Sequence, residues 1–179
     1  DYPFACSPGI VGSTEPTFQR SSLCAGLTRA GTYQPDAAGT SALPCPPGAY
    51  CPEGASTALL CDAGRYRSTP EAASPADCTP CPAGSACPTG ATNHTPCEPG
   101  TITASEGASV CTACAAGTFQ NAIGASACFD CSVGRYCAAR ATTPALCSPG
   151  SYSALAGQSA CSDCVAGEYQ GESGQNACL

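Results

Sequence analysis

The sequence has little from which to build a core. Leu, Ile, Val and Phe together supply 19 of 179 residues, roughly 11%, well under the ~20% below which chains tend to stay disordered. The 43% counted as hydrophobic is mostly alanine, cysteine and tyrosine, so one continuous core is not available. No run of 18 apolar residues occurs, and direct membrane insertion of this segment is therefore not expected. Lysine is absent, and six arginines against thirteen acids give a net charge of −7. A phosphate-binding surface needs clustered cations, and Arg65 with Arg67 is the nearest approach to a cluster; nucleic acid and anionic membrane are not expected partners. The single histidine, His94, leaves the serines and cysteines without a base to activate them. The acids are scattered and form no D-x-D-x-D-G loop, so calcium is not expected either. The reading is a non-enzymatic chain with no catalytic or metal site and no cofactor. No segment keeps a helical period over two turns.

Cysteine supplies the missing constraint. It makes up 18 of 179 residues, about 10%, the level of disulfide scaffolds. One bridge contributes ~2–4 kcal/mol, mainly by restricting the unfolded chain. Such density requires an oxidising compartment, so the protein is read as secreted, at the cell surface or outside the cell. The chain begins at Asp1 without Met and ends one residue after Cys178, at a repeat boundary. The expectation is a mature portion of a longer array, its secretory signal already removed.

Self-similarity is the strongest signal. Cys97–Cys111 (CEPGTITASEGASVC), Cys114–Cys128 (CAAGTFQNAIGASAC), Cys147–Cys161 (CSPGSYSALAGQSAC) and Cys164–Cys178 (CVAGEYQGESGQNAC) share C-x2-G-x-[YFI]-x4-G-x3-C. Tyr33, Tyr50, Tyr66, Tyr136, Tyr152 and Tyr169 occupy the site two after the first glycine, with Ile102 and Phe119 elsewhere. A second form carries an extra cysteine: Cys45–Cys61 holds Cys51, Cys81–Cys97 holds Cys87, and Cys131–Cys147 holds Cys137. Arg140 replaces the later glycine in the last of these, so that turn is not expected to need positive φ in every copy. Cys81, Cys87, Cys97, Cys111, Cys114 and Cys128 each recur 50 residues later, at Cys131, Cys137, Cys147, Cys161, Cys164 and Cys178. An earlier copy runs through Cys45, Cys51, Cys61 and Cys78, its last loop three residues longer. Before it, Thr28 stands where a unit's opening cysteine would be. The units divide as a degenerate stretch over 1–44, a four-cysteine repeat over 45–78, and four-cysteine plus two-cysteine repeats over 79–128 and 129–179. Glycine turns followed by one aromatic suggest short β-hairpins or ladder-like loops. The expected fold is small, disulfide-rich, all-β or irregular repeats with little or no helix, forming an elongated rod of tandem modules in which each aromatic stacks on a neighbouring disulfide.

The CxxGxY…GxxxCxxC pattern resembles the ephrin-receptor-like cysteine-rich repeat, a relative of tumour-necrosis-factor-receptor and EGF-like modules. The resemblance covers Cys45 to Cys178. It implies either a receptor ectodomain or a surface protein of the kind abundant in algae and other protists, mastigoneme-like flagellar-hair proteins among them.

All 18 cysteines are expected to be bridged locally. Cys114–Cys128 and Cys164–Cys178 close on themselves, and Cys6–Cys24 follows by remainder. Closing Cys81 on Cys97 leaves Cys87 for Cys111, and by the same logic Cys45–Cys61, Cys51–Cys78, Cys131–Cys147 and Cys137–Cys161. The rival pairs Cys81 with Cys87 and Cys97 with Cys111. On spacing, Cys111, Cys114, Cys128 and Cys131 would also pass as a zinc site. The plainer reading is that each CxxC ends one staple and begins the next; a redox CxxC would need a helix N-terminus. Asn93-His94-Thr95 is an N-glycosylation sequon. Ser7, Thr69, Ser74, Thr79, Thr95, Thr143 and Ser148 each precede proline, as O-glycan or hydroxyproline-glycan regions or as plain turns.

Two function classes remain. One is an extracellular structural protein, a repeat segment of a glycosylated fibre whose partners are its own copies, other fibre proteins and glycans. The other is a ligand-binding ectodomain of a receptor or adhesion protein, which needs a divergent loop with aromatic or arginine anchors. Loop lengths barely change, and the variable positions are Ala, Ser, Thr and Gly, which favours the fibre.

Overall fold

The computed structural model describes residues 6–12, 26–37 and 39–179. Cys24, and with it the Cys6–Cys24 pairing, lies outside them. The described residues are small, disulfide-rich and all-β. They fall into two compact units, one within Asp1–Cys81 and Cys87–His94, the other within Pro82–Ala86 and Thr95–Leu179. In the first, antiparallel two-residue strands pair Ile10–Val11 with Gly26–Leu27, Thr32–Tyr33 with Leu43–Pro44, Ala49–Tyr50 with Leu59–Leu60, and Arg65–Tyr66 with Thr79–Pro80. In the second, the pairs are Ser85–Ala86 with Thr95–Pro96, Thr101–Ile102 with Thr112–Ala113, Thr118–Phe119 with Phe129–Asp130, Arg135–Tyr136 with Ala145–Leu146, and Ser151–Tyr152 with Ser162–Asp163. One 3-10 turn, Pro75–Asp77, occupies the longer loop between Cys61 and Cys78.

The strands are short because the backbone groups flanking them bond to the neighbouring repeat. In the second unit the Gly100 amide donates to the Gln120 carbonyl (2.7 Å), the Gln120 amide to Ala141 (3.1 Å) and the Gly124 amide to Cys97 (2.8 Å). The first unit repeats the set: Gly48 to Arg67 (2.8 Å), Arg67 to Ala91 (3.0 Å), Gly90 to Cys61 (2.8 Å). These joins use main chain only, so a sequence rich in Ala, Ser and Thr can still hold one register. They also bring backbones close enough to require glycine. Gly84 has φ 78°, and a Cβ there would strike the carbonyl of Gly124. Thr28 keeps the scheme without its cysteine: it is fully buried, accepts from Gly54 (2.9 Å) and donates its hydroxyl to Ala55 (3.3 Å). At Arg140 the expectation of an ordinary φ is overturned. Its φ is 63°, and Glu71 at the equivalent turn has 62°. The carbonyl partner dictates the turn, whatever the side chain.

Among the described residues, the buried apolar ones are all cysteine and alanine. Tyr33 packs on Cys45, Cys51 and their alanines, and Tyr66 packs on Cys81, Cys87 and Ala91. Each ring thus covers the disulfide of the following repeat. Tyr50, Phe119, Tyr136 and Tyr152 are half-buried. Tyr169 departs from the expected burial and is 66% exposed.

The crossed pairing is corrected. The bridges are Cys45–Cys51, Cys61–Cys78, Cys81–Cys87, Cys97–Cys111, Cys114–Cys128, Cys131–Cys137, Cys147–Cys161 and Cys164–Cys178. Cys45–Cys61, Cys51–Cys78, Cys81–Cys97, Cys87–Cys111, Cys131–Cys147 and Cys137–Cys161 do not form. The glycine turn folds the third residue after the glycine back beside the opening cysteine, with the Cα atoms of Cys81 and Cys87 5.9 Å apart, inside the window for a bridge. Cys97 belongs instead to the next repeat, where its Cα lies 5.7 Å from that of Cys111.

Candidate functional site

The recurring side-chain chemistry sits at one position, the third residue after the first turn glycine. In three repeats it is a cysteine (Cys51, Cys87, Cys137) bridged to the opening cysteine. In three others it is a buried glutamine acting as an amide clasp. Gln120 donates Nε2–H to the Ala127 carbonyl (2.6 Å) and accepts at Oε1 from the Ala122 amide (2.8 Å). Gln34 does the same with Ser41 (2.6 Å) and Asp36 (3.1 Å), and Gln170 with Ala177 (2.9 Å) and Glu172 (3.0 Å). Thr103 and Ser153, also buried, donate to the carbonyls of Ser85 and Leu155 (3.1 Å each). Arg67 reaches Thr69 (3.1 Å) and Asp77 (3.3 Å). Sequence reasoning missed these clasps, although their signal was present in YQ, FQ and YQ after a glycine turn at Tyr33, Phe119 and Tyr169.

Arg65 and Arg67, the nearest thing to a cation cluster, serve the long loop. Arg65 donates to the Cys78 carbonyl (2.7 Å), and Arg67 holds the backbone on either side of the 3-10 turn. A cavity of about 260 Å³ beside them is lined by Asp62, Arg65, Pro75 and Ala76. Asp77 caps that turn, its Oδ2 accepting from the amides of Ala73 (2.8 Å) and Ser74 (2.9 Å). Those two bonds, Ala73 first, hold its carboxyl below the usual aspartate range, with Ser74 hydroxyl and Arg67 adding to them against slight desolvation. The sulfurs of Cys111, Cys114, Cys128 and Cys131 are each in a disulfide, so the spacing that suggested zinc offers no thiolate.

Among the proline-preceding residues, Ser7, Thr69, Thr79, Thr95, Thr143 and Ser148 are exposed. Ser74 differs: it is half-buried, and its hydroxyl donates to Asp77 Oδ2 (3.4 Å). Asn93 is exposed in a bend, next to His94, whose ring meets Tyr66 edge-on at 5.5 Å. No helix among the described residues is long and apolar enough to cross a membrane.

Residues 100–147 match the family described as tyrosine-protein kinase ephrin type A/B receptor-like. Comparison with curated proteins finds no match. The matched segment contains the Cys114–Cys128 and Cys131–Cys137 bridges and the Gln120 clasp. The repeats on both sides of that segment are built alike, and a cysteine-rich, ephrin-receptor-like module of this kind suggests an extracellular-surface or receptor-like protein.

Proposed function

We propose that this chain is a structural segment of a glycosylated extracellular fibre of the flagellar-hair kind, without enzymatic activity or cofactor, that associates with its own copies or with other fibre proteins. The observation that carries the reading is the uniform joining of repeats. Among the described residues, bridged loops keep separations of 6 or 14 residues, with a single loop of 17, and main-chain bonds link neighbouring repeats. A receptor concentrates variation in one binding loop, whereas a load-bearing segment repeats its joints. Exposed Asn93 and the exposed Ser/Thr–Pro sites would carry the sugars.

Imaging native material by electron microscopy tests this. Filaments with helical order, and sugar density at Asn93 or the Ser/Thr–Pro sites, are expected. Monomers that bind a defined protein ligand at sub-micromolar affinity would replace the fibre with a receptor.

A further inference from the structure

The later turn of each repeat is a glycine turn. Gly54, Gly90, Gly107, Gly124, Gly157 and Gly174 hold it with φ between 70° and 79°. Glu71 and Arg140 hold the same turn at 62° and 63°, in the left-handed region that L side chains rarely adopt. Nothing in the backbone asks for a side chain there. The Glu71 amide donates to Cys45 and the Arg140 amide to Cys114 (2.8 Å each), as Gly90 does to Cys61 and Gly124 to Cys97 (2.8 Å each). The Glu71 carbonyl lies over Gly31 and the Arg140 carbonyl over Gly100, as in the glycine copies. Inside the fold, Glu and Arg therefore only destabilise a turn that glycine would fill without strain.

Both side chains are exposed, and neither makes a hydrogen bond or ion pair among the described residues. By contrast, Arg65, Arg67 and Arg135 each bond a backbone carbonyl. The two strained residues carry opposite charge on equivalent turns. Strain kept at an exposed position points to a use outside the fold, and complementary charge on like turns fits a second copy of the same chain.

We propose that Glu71 of one copy pairs with Arg140 of the next, setting the register and polarity of head-to-tail association. The contact is heterologous, one patch meeting a different one, so it leaves a free Glu71 at one end and a free Arg140 at the other for further copies. An exposed ion pair adds roughly two- to fivefold in affinity. Its effect is on register and partner choice, where like charges brought together are rejected. The inference rests on the self-associating fibre reading above.

The test is sedimentation velocity of the oxidised, full chain over a concentration series, with thermal melting of each variant. Glu71→Gly and Arg140→Gly should melt higher than the parent, because the strain is relieved, yet associate more weakly. Glu71→Arg and Arg140→Glu should each weaken association by roughly tenfold, from lost attraction plus repulsion. The double exchange Glu71→Arg with Arg140→Glu should restore it. Glycine variants that associate as well as the parent, or a double exchange that fails to recover, would overturn the pairing and leave the fibre reading standing. A parent chain that stays monomeric at every concentration would sink both.

Discussion

Gln120 and Cys137 occupy the same place in consecutive repeats, one holding its loop through two hydrogen bonds and the other through a covalent bridge. The equivalence explains why the repeat tolerates alternation between two-cysteine and four-cysteine forms: both chemistries tie down the backbone after the aromatic. Gln120→Ala should therefore behave like the loss of a staple. It removes a buried amide, 3% exposed, and leaves the Ala127 carbonyl without its donor, for a cost of roughly 1–3 kcal/mol. Denaturant unfolding together with faster amide exchange at Ala122 would register it. Asp77 gives a pH-dependent counterpart. Its folded pKa is depressed by the Ala73 and Ser74 amides, so the unfolded chain binds the proton more readily. The stabilisation is complete above the ordinary aspartate range and is lost as pH falls through the lower folded value. Amide chemical shifts of Ala73 and Ser74 should titrate in that acid window, and Asp77→Ala should abolish the transition. Of Gln120 the sequence shows only the recurring aromatic–glutamine pair after a glycine turn, and Asp77 looks like an ordinary polar loop residue.

At the scale of the element, glycines that look interchangeable in the sequence differ in what surrounds them. Gly84 (φ 78°) faces the Gly124 carbonyl, whereas Gly107 (φ 79°) has nothing within 4 Å of a built Cβ. Gly107→Ala should cost only the conformational penalty of a left-handed residue, about 1–2 kcal/mol. Gly84→Ala must also push two repeats apart, and its melting temperature should fall clearly further. Equal losses would show that the repeat-to-repeat join is looser than these contacts indicate. The hairpins themselves were legible, since a glycine turn followed by one aromatic recurs at regular spacing through the chain. The bridge partners were not. Counting cysteines along the chain treats them as points on a line, and loop entropy separates the alternatives only weakly because it grows as the logarithm of loop length.

At the scale of the whole molecule, the buried apolar set among the described residues is cysteine and alanine alone. Ordering the backbone costs ~1–2 kcal/mol per residue, and alanine burial cannot offset that without the bridges. Full reduction should therefore unfold both units together rather than leave a partly folded remnant. Circular dichroism and amide dispersion before and after reduction would measure it. Native spectra in the reduced protein would mean that the backbone joins suffice on their own.

Composition and spacing by themselves determined that this chain is an extracellular-type, disulfide-held array of short β-hairpins, because so few large apolar residues leave no other route to order. They also placed the aromatics on neighbouring bridges, correctly for Tyr33 and Tyr66 and wrongly for Tyr169. Only the tertiary structure decided which cysteines meet, that glutamine can stand in for one of them, and that Arg140 keeps a glycine's backbone. Those outcomes depend on which carbonyl lies opposite each turn, a relation between segments some forty residues and two loops apart, as with Gly84 and Gly124, which no local pattern encodes.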